Sequence, residues 1–252
     1  MRALITGASS GLGRDMARAL AARGWDLILV ARREDRLKEL ASSLSVNTTV
    51  SVRDLSDADE CLRLFEEWED EPLEMLVNNA GFGLFGAYDE VDLQRELSMI
   101  DVNVRAVHIL TKRFAEKFEK QGHGRILNVA SSAGFLPGPL MSTYYATKSY
   151  VVRYSEALAE ELRRRKSPVT ISLLCPGPVR TEFDRVAGVQ FSLKGLKSED
   201  VAEYAVRKTL RGKRIITPGV VMRMVRFGQR LLPDFLLARI AYCQQHRKRD
   251  RK

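Results

Sequence analysis

Residues 6–13, TGASSGLG, follow the short apolar run RALI and precede a stretch with helical patterning, LGRDMARALAAR. A glycine-rich turn between a strand and a helix lets the backbone approach a pyrophosphate closely, and the helix that follows offers its N-terminal N–H groups to the negative charge. Gly7, Gly11 and Gly13 supply the turn, and Ser9, Ser10 and Leu12 complete it. Glycines also serve as plain turn formers, so the loop by itself is weak evidence. Its position immediately after the first strand is what makes nucleotide binding the preferred reading.

Moving outward, six further apolar runs repeat the pattern: DLILVAR, TVSVRDL, EMLVNNAG, GRILNVAS, PVTISLLCPG and RIITPG. Each is rich in Leu, Ile and Val, and closes on Gly, Pro, Asn, Asp or a similar breaker. Helix-like segments separate them, among them 12–23, 34–44, 58–68, 93–120 and 143–166. Near-continuously apolar strands alternating with helices predict a parallel sheet covered on both faces. The fold class expected is therefore α/β, a Rossmann-type doubly wound sheet of seven strands. No repeat or low-complexity linker interrupts the chain. We read one catalytic domain over residues 1–219 and a basic amphipathic extension over 220–252.

In such sheets ligands bind beyond the carboxyl ends of the strands. Gly7, Asp54, Asn79, Ser131 and Pro176–Gly177 all fall there, and none has an evident packing role. The second strand ends Ala31-Arg32-Arg33. An NAD site would place a carboxylate here for the ribose 2′-hydroxyl, whereas a guanidinium can hold a 2′-phosphate through paired hydrogen bonds. The pair thus points to NADPH over NADH. A surface arginine pair at a helix N-terminus is the alternative, one that the helix dipole disfavours. Asp54 and Leu55, ending the third strand, are placed to hold and cover an adenine.

The segment STYYATKSYVVRYSEAL, residues 142–158, holds four of the seven tyrosines. An exposed phenol has a pKa near ~10 and transfers protons poorly at neutral pH. Only Tyr144 has a lysine four residues later, Lys148, and positions i and i+4 share a helix face. A neighbouring ammonium stabilises phenolate, so Tyr144 is expected to titrate low. Tyr145, Tyr150 and Tyr154 lack such a partner and read as packing or interface aromatics.

With these residues in hand, the chain resembles the short-chain dehydrogenases/reductases of the single-domain type over roughly residues 1–219. The ordered motifs are TGASSGLG, NNAG at 78–81, the Asn of DVNV, a serine, then YATK, followed by PGPVRTE. The resemblance implies Tyr144 as general acid/base and Lys148 as the group that lowers its pKa and holds the nicotinamide ribose. It implies Ser131, thirteen residues before the tyrosine, as the hydroxyl that positions the substrate oxygen, with Ser132 lining the pocket. Asn103 would support a proton-relay water from within a long helix; a buried, hydrogen-bonded Asn bracing a strand is the other reading. Asn79, Ala80 and Gly81 would flank the cofactor ribose. Pro176, Gly177 and Val179 belong to the cofactor-binding set, and Thr181 resembles the residue that bonds the nicotinamide carboxamide. Ala106 stands where the family often has glycine. A homodimer or homotetramer packed through the long helices is implied as well. The activity expected is NADPH-dependent carbonyl reduction or secondary-alcohol oxidation; a non-catalytic NADP(H) sensor or scaffold and an NAD-linked alcohol dehydrogenase are the alternatives.

The segments expected to line the substrate pocket are apolar: Phe82, Leu84 and Phe85; Phe135, Leu136, Pro137 and Met141; Phe183, Val186 and Phe191. Arg180, Arg185 and Lys194 are the nearby charges. A hydrophobic carbonyl or alcohol is favoured over a sugar or dicarboxylate. Residues 180–196 have little periodicity and read as a lid or as an ordinary surface loop.

The formal charge of +9 is uneven. Arg207 to Lys252 holds 14 Lys/Arg against 2 Asp/Glu, whereas the preceding residues are slightly acidic. Such an extension suits an anionic membrane surface, a pocket cap or an oligomer interface. Nucleic acid is disfavoured, since no aromatic residues are interleaved for stacking. Three scattered histidines and three widely spaced cysteines match no metal pattern. With no signal peptide visible and no disulfide framework, a cytoplasmic protein is expected, with peripheral membrane contact through the extension left open.

Overall fold

The structure is a computed structural model that describes residues 1–188 and 195–249. Phe191 and Lys194, expected above near the pocket, lie outside the described residues, as does much of the expected lid. Seven parallel strands form the central sheet: β1 (Arg2–Thr6), β2 (Asp26–Ala31), β3 (Thr48–Val52), β4 (Met75–Asn78), β5 (Gly124–Val129), β6 (Val169–Leu174) and, after a two-residue pair described below, the terminal strand Ile215–Ile216. Their order is β3-β2-β1-β4-β5-β6 followed by Ile215–Ile216 at the edge. Register is fixed by pairs such as Leu4 with Ile28 and Leu76, and Ile126 with Ile171.

Side chains alternate between the faces, so both faces need cover. Ala3 and Ile5 of β1 pack into one apolar layer with α1 (Gly11–Ala21), α2 (Glu34–Ser42) and the helix Ser198–Leu210; Leu4 faces the opposite layer, built from α3 (Ala58–Glu67) and the later helices. β1, β2, β4, β5 and β6 are almost fully buried, which is why they read as continuous apolar runs, whereas the edge strand β3 is largely half-exposed or exposed.

The expected helix 93–120 is not uniform. It comprises α4 (Leu93–Ile100), a π-helical segment at Asp101–Ala106, and α5 (Val107–Gln121). The Asp92 carboxylate caps α4 by accepting from the Arg95 N–H at 3.0 Å. Asn103 sits within the π segment, a geometry frequent at functional sites. Next come a 3₁₀ turn at Ser132–Phe135 and α6 (Ser142–Arg164), which carries Tyr144 and Lys148.

A buried polar cluster ties these layers together. The Asn78 amide donates to Thr111 Oγ1 at 3.0 Å and to Asn128 Oδ1 at 2.9 Å, and the Asn128 amide donates to Ser155 Oγ at 2.9 Å. Asn78, Thr111, Asn128 and Ser155 are all nearly inaccessible to solvent. Two strands and two helices are thereby locked in register directly behind the carboxyl edge. Buried polar groups are costly unless paired, so this cluster tolerates few alternative packings.

Within the expected lid, the described residues 180–188 and 195–196 are more structured than the sequence suggests. β7 (Val179–Arg180) pairs with β8 (Leu196–Lys197), and the short helix α7 (Phe183–Ala187) lies between them. Numbering onward, Ser198–Leu210 is α8 and Ile215–Ile216 is β9. The extension folds as α9 (Val220–Gly228), a 3₁₀ turn (Gln229–Leu231) and α10 (Asp234–Arg249). No described helix is long and apolar enough to cross a membrane.

Candidate active site

At the carboxyl edge, a cavity of about 880 Å³ runs from the glycine-rich loop to the C-terminal helices. The loop and the NNAG segment hold each other. Thr6 Oγ1 accepts from the backbone N–H groups of Asn79 and Ala80, each at 3.0 Å, and the Asn79 amide donates to the carbonyls of Thr6 (3.0 Å) and Gly7 (3.2 Å). Two glycines are required by this contact. Gly7 has φ +66°, and a Cβ there would lie 2.8 Å from Ala80 Cα; a Cβ on Gly13 would lie 2.3 Å from the Gly7 carbonyl oxygen. Gly13 therefore serves the clasp behind the cavity wall, whereas Gly7, Ser9, Ser10, Gly11 and Leu12 line the cavity itself.

The end of the cavity beside β2 and β3 is cationic. Arg32 is exposed and pairs with Asp54 at 3.6 Å, and Leu55 lies beside it. Arg33 is more firmly placed: its guanidinium donates to Ser9 Oγ at 3.1 Å, to Ser10 Oγ at 2.9 Å and to Glu182 at 2.9 Å. Arg36 donates to the other Glu182 oxygen at 2.7 Å. Hydrogen bonds from Arg36 and Arg33 pull the Glu182 carboxyl down to about 2. Arg36 and Glu182 were not singled out in the sequence. Arg36 falls one helical turn after Arg33, but nothing local marks Glu182, whose partners lie some 150 positions earlier.

At the opposite end Tyr144, Lys148 and Ser131 converge. Tyr144 is 8 % exposed and Lys148 6 %. The Lys148 ammonium donates to the Val129 carbonyl at 3.1 Å and sits 5.9 Å from the Tyr144 ring centre. Burial pushes the Tyr144 phenol well above its ordinary value, opposed by a hydrogen bond with Ser131. This differs from the expectation of a low-titrating phenol, because desolvation of the anion outweighs the help that the protein supplies. Burial likewise lowers the Lys148 ammonium to about 8. Cys175, also buried, is pushed up to about 12 and holds no reactive thiolate. Ser131 sits at the N-cap of the 3₁₀ turn, where its oxygen also accepts from the Ala133 N–H at 3.1 Å.

Asn103 lies behind the wall. Its oxygen accepts from the Phe82 N–H at 3.1 Å, while its amide donates to the Phe82 carbonyl at 2.9 Å and to Thr147 Oγ1 at 3.1 Å. The side chain thus ties the NNAG loop to α6. Ala80, Gly81, Pro176, Gly177, Val179 and Thr181 line the cavity, as do Phe82, Leu136, Met141, Phe183 and Val186. Leu84 and Phe85 instead pack around Met141 and Phe183 from behind. Tyr145, read as a packing aromatic, lines the cavity as well, and Gln245 of α10 donates to its hydroxyl at 3.0 Å. Met222, Leu237 and Ala241 close the same end, so the extension caps the pocket.

A nicotinamide dinucleotide fits this arrangement on the residues present. A glycine cradle without side-chain obstruction opens beside paired guanidinium groups, and an apolar chamber holding a buried phenol lies beyond. Fold and site together define a nucleotide-binding α/β protein of the oxidoreductase type. Residues 1–189 match the short chain dehydrogenase family, and the chain belongs to the short-chain dehydrogenases/reductases. It is 31 % identical over 255 residues to 11-beta-hydroxysteroid dehydrogenase A of Sesamum indicum, across 92 % of this chain and 72 % of that one. Among solved structures, a Sphingobium yanoikuyae short-chain dehydrogenase in complex with NADPH superposes with TM-score 0.82 at 29 % identity, covering 91 % of this chain and 93 % of that one. A Burkholderia phymatum member in complex with NAD gives TM-score 0.82 at 26 % identity, covering 90 % and 91 %. A nicotinamide cofactor is common to these neighbours.

Proposed function

We propose that this chain is an NADPH-dependent oxidoreductase that reduces a hydrophobic carbonyl, or in reverse oxidises the corresponding secondary alcohol. The observation that carries the proposal is the pair of buried Tyr144 and half-buried Ser131, set in an apolar chamber that opens onto the arginine-flanked glycine loop. The dinucleotide, when bound, supplies or removes the hydride. The protein's part is to orient the reacting oxygen and to handle one proton. Ser131 donates a hydrogen bond to the carbonyl oxygen, and Tyr144 gives that oxygen its proton, so that the alcohol is neutral when formed. The phenolate left behind is stabilised by the Lys148 ammonium and recovers a proton from water. A phenol held high by burial is fully protonated at neutral pH, the state that a proton donor requires.

Support for NADPH comes from Arg32 and Arg33, because two guanidinium groups, rather than a carboxylate, stand immediately after β2 and before Glu34. The substrate class follows from the wall: Phe82, Leu136, Met141 and Phe183 favour a bulky apolar ketone or its alcohol, and the hydroxysteroid in the name of the Sesamum indicum relative is a bulky alcohol of that kind. Acyl thioesters and simple hydrophobic ketones remain within the same class. Assembly through α5 and α6 suits the His108–Tyr150–Tyr154 ring cluster on their outer faces.

The first test is titration of the purified protein with NADPH and NADH, followed by a panel of hydrophobic ketones with the tighter cofactor. Clearly tighter NADPH binding with turnover is the expected result. Preference for NADH would move the assignment to the NAD-linked alternative, and binding without turnover of any ketone would move it to the sensor.

A further inference from the structure

We propose that the outer face of the C-terminal cap is a docking surface for an anionic lipid bilayer, with the pocket cap lying against the headgroups. α9 has two unlike sides. Its inner side is anchored: Met222 fills the space above Gly177, and Arg226 stacks on Phe135 at 5.1 Å and pairs with Glu156 at 4.0 Å. Its outer side carries Val220, Met224, Phe227 and Leu231, spaced by four, three and four residues, a spacing that sets them in one row along the helix and the 3₁₀ turn after it. They are 62 %, 69 %, 70 % and 73 % exposed. Leu232 and Phe235, next along the chain, are exposed as well, as are Ile240 and Tyr242 of α10. Single exposed apolar residues are ordinary on a soluble protein, but a contiguous row of this length marks a surface that meets an apolar phase.

Charge decides which phase. Arg223 lies within the row, Arg239 stacks on Phe235 at 5.7 Å, and the chain from Arg207 to Lys252 carries a net +12. A second copy docking here by a two-fold axis would bring Arg223 and Arg239 against the same two cations of the other copy. A surface of acidic lipids brings the opposite sign, together with the acyl boundary that Phe and Leu require. A soluble polyanion would satisfy the arginines and leave the apolar row in water. Because no described helix is long and apolar enough to span a bilayer, the contact is shallow, with the helices lying in the interface.

The site described above gives the docking a purpose. Leu237, Ile240 and Ala241 line the pocket from the same α10 that carries Phe235 and Tyr242 outward, and Ile240 is both pocket-lining and half exposed. The wall between chamber and lipid is one helix thick. A hydrophobic ketone dissolved in the bilayer would meet the pocket at this cap; that consequence rests on the proposed reductase reading, whereas the docking itself does not.

The experiment is co-sedimentation of the full chain with phosphatidylcholine vesicles, with and without roughly 30 % phosphatidylserine, at physiological salt. The expected result is binding to the anionic vesicles at least ~10-fold tighter than to the neutral ones. Met224→Glu with Phe227→Glu should weaken it by a further ~10-fold or more, since both groups leave the apolar phase. Neither side chain lines the pocket, so NADPH affinity and Tm of the double variant serve as the check that it is folded. Absence of vesicle binding by the parent chain would overturn the proposal. So would unchanged binding by the folded double variant, which would reduce the contact to charge alone. Conversion of an oligomer to monomers by the same substitutions, without a change in vesicle binding, would overturn it as well and make the face an interface between copies. A chain that docks but turns over no ketone would leave the docking standing and remove the reductase reading.

Discussion

The two ends of the cavity solve different problems. At the end beside β2 and β3, charge is exposed and replaceable: Arg32, Arg33 and Arg36 face Asp54 and Glu182 near water, where ion pairs contribute little to stability. At the reacting end, charge is buried and rigid: Tyr144 and Lys148 are almost sealed, each far from the protonation balance it would have in water. The first end can discriminate cofactors without straining the fold. The second holds groups that weaken the fold because the proposed chemistry needs them there, a trade common at functional sites.

The contrast breaks first at the phenol. Tyr144→Phe should lower kcat for carbonyl reduction by ~10³-fold or more while leaving NADPH affinity within about twofold, since it removes only the proton donor. Steady-state kinetics beside a binding titration checks this, and retention of a tenth of the activity would end the assignment.

The glycine clasp should come next. Gly13→Ala places a methyl 2.3 Å from the Gly7 carbonyl oxygen, so the loop must shift. We expect NADPH affinity to fall by more than ~10-fold together with a loss on the order of 2 kcal/mol in stability, read by calorimetry and denaturant titration.

At the end beside β2 and β3, Arg32→Ala and Arg33→Ala should each weaken NADPH by about 10- to 100-fold through the loss of charged hydrogen bonds, with NADH changed by less than about threefold. Fold and Tm should be almost unaffected. Equal losses for both cofactors would remove the 2′-phosphate contact.

The subtlest effect concerns Lys148. Its folded value of about 8 lies below the ordinary 10.5, so between these values the folded chain binds fewer protons than the unfolded one. Stability should therefore rise with pH across that window, and at pH 7 the buried ammonium costs on the order of 3 kcal/mol. Lys148→Met is expected to raise Tm at pH 7 by several degrees, an advantage that disappears by about pH 10.5, while turnover is lost. A Tm that falls at pH 7 would mean that the bond to the Val129 carbonyl outweighs the desolvation. In the parent enzyme, kcat/KM for reduction should decline above about pH 8 as Lys148 deprotonates.

The sequence was most informative where chemistry and spacing are local. The TGASSGLG loop between strand and helix, the i,i+4 relation of Tyr144 and Lys148, and the apolar strand runs can each be read within a dozen residues. The sheet with its seven parallel strands follows from that pattern, as does the family resemblance. Asn103 was legible as a special residue, but not what it holds together, because its partners Phe82 and Thr147 lie 21 and 44 positions away. Tyr145 does pack in the apolar cluster with Met141 and Phe183, but its place on the cavity wall was hidden for a similar reason. Its lack of a cationic neighbour said nothing of Gln245, a hundred positions later.

By itself, the sequence determined that this chain would form a doubly wound α/β sheet with a nucleotide loop and a tyrosine–lysine pair, since helix and strand periodicity are written residue by residue. Tertiary structure alone decided that burial would raise the Tyr144 phenol rather than leave it low, because desolvation depends on what closes over a group. It alone brought Glu182 to the arginines, locked Asn78 to Asn128, and turned a basic extension into a cap whose inner side lines a pocket and whose outer side is apolar. Those outcomes depend on distances between residues far apart in the chain, and such distances exist only once the chain has packed.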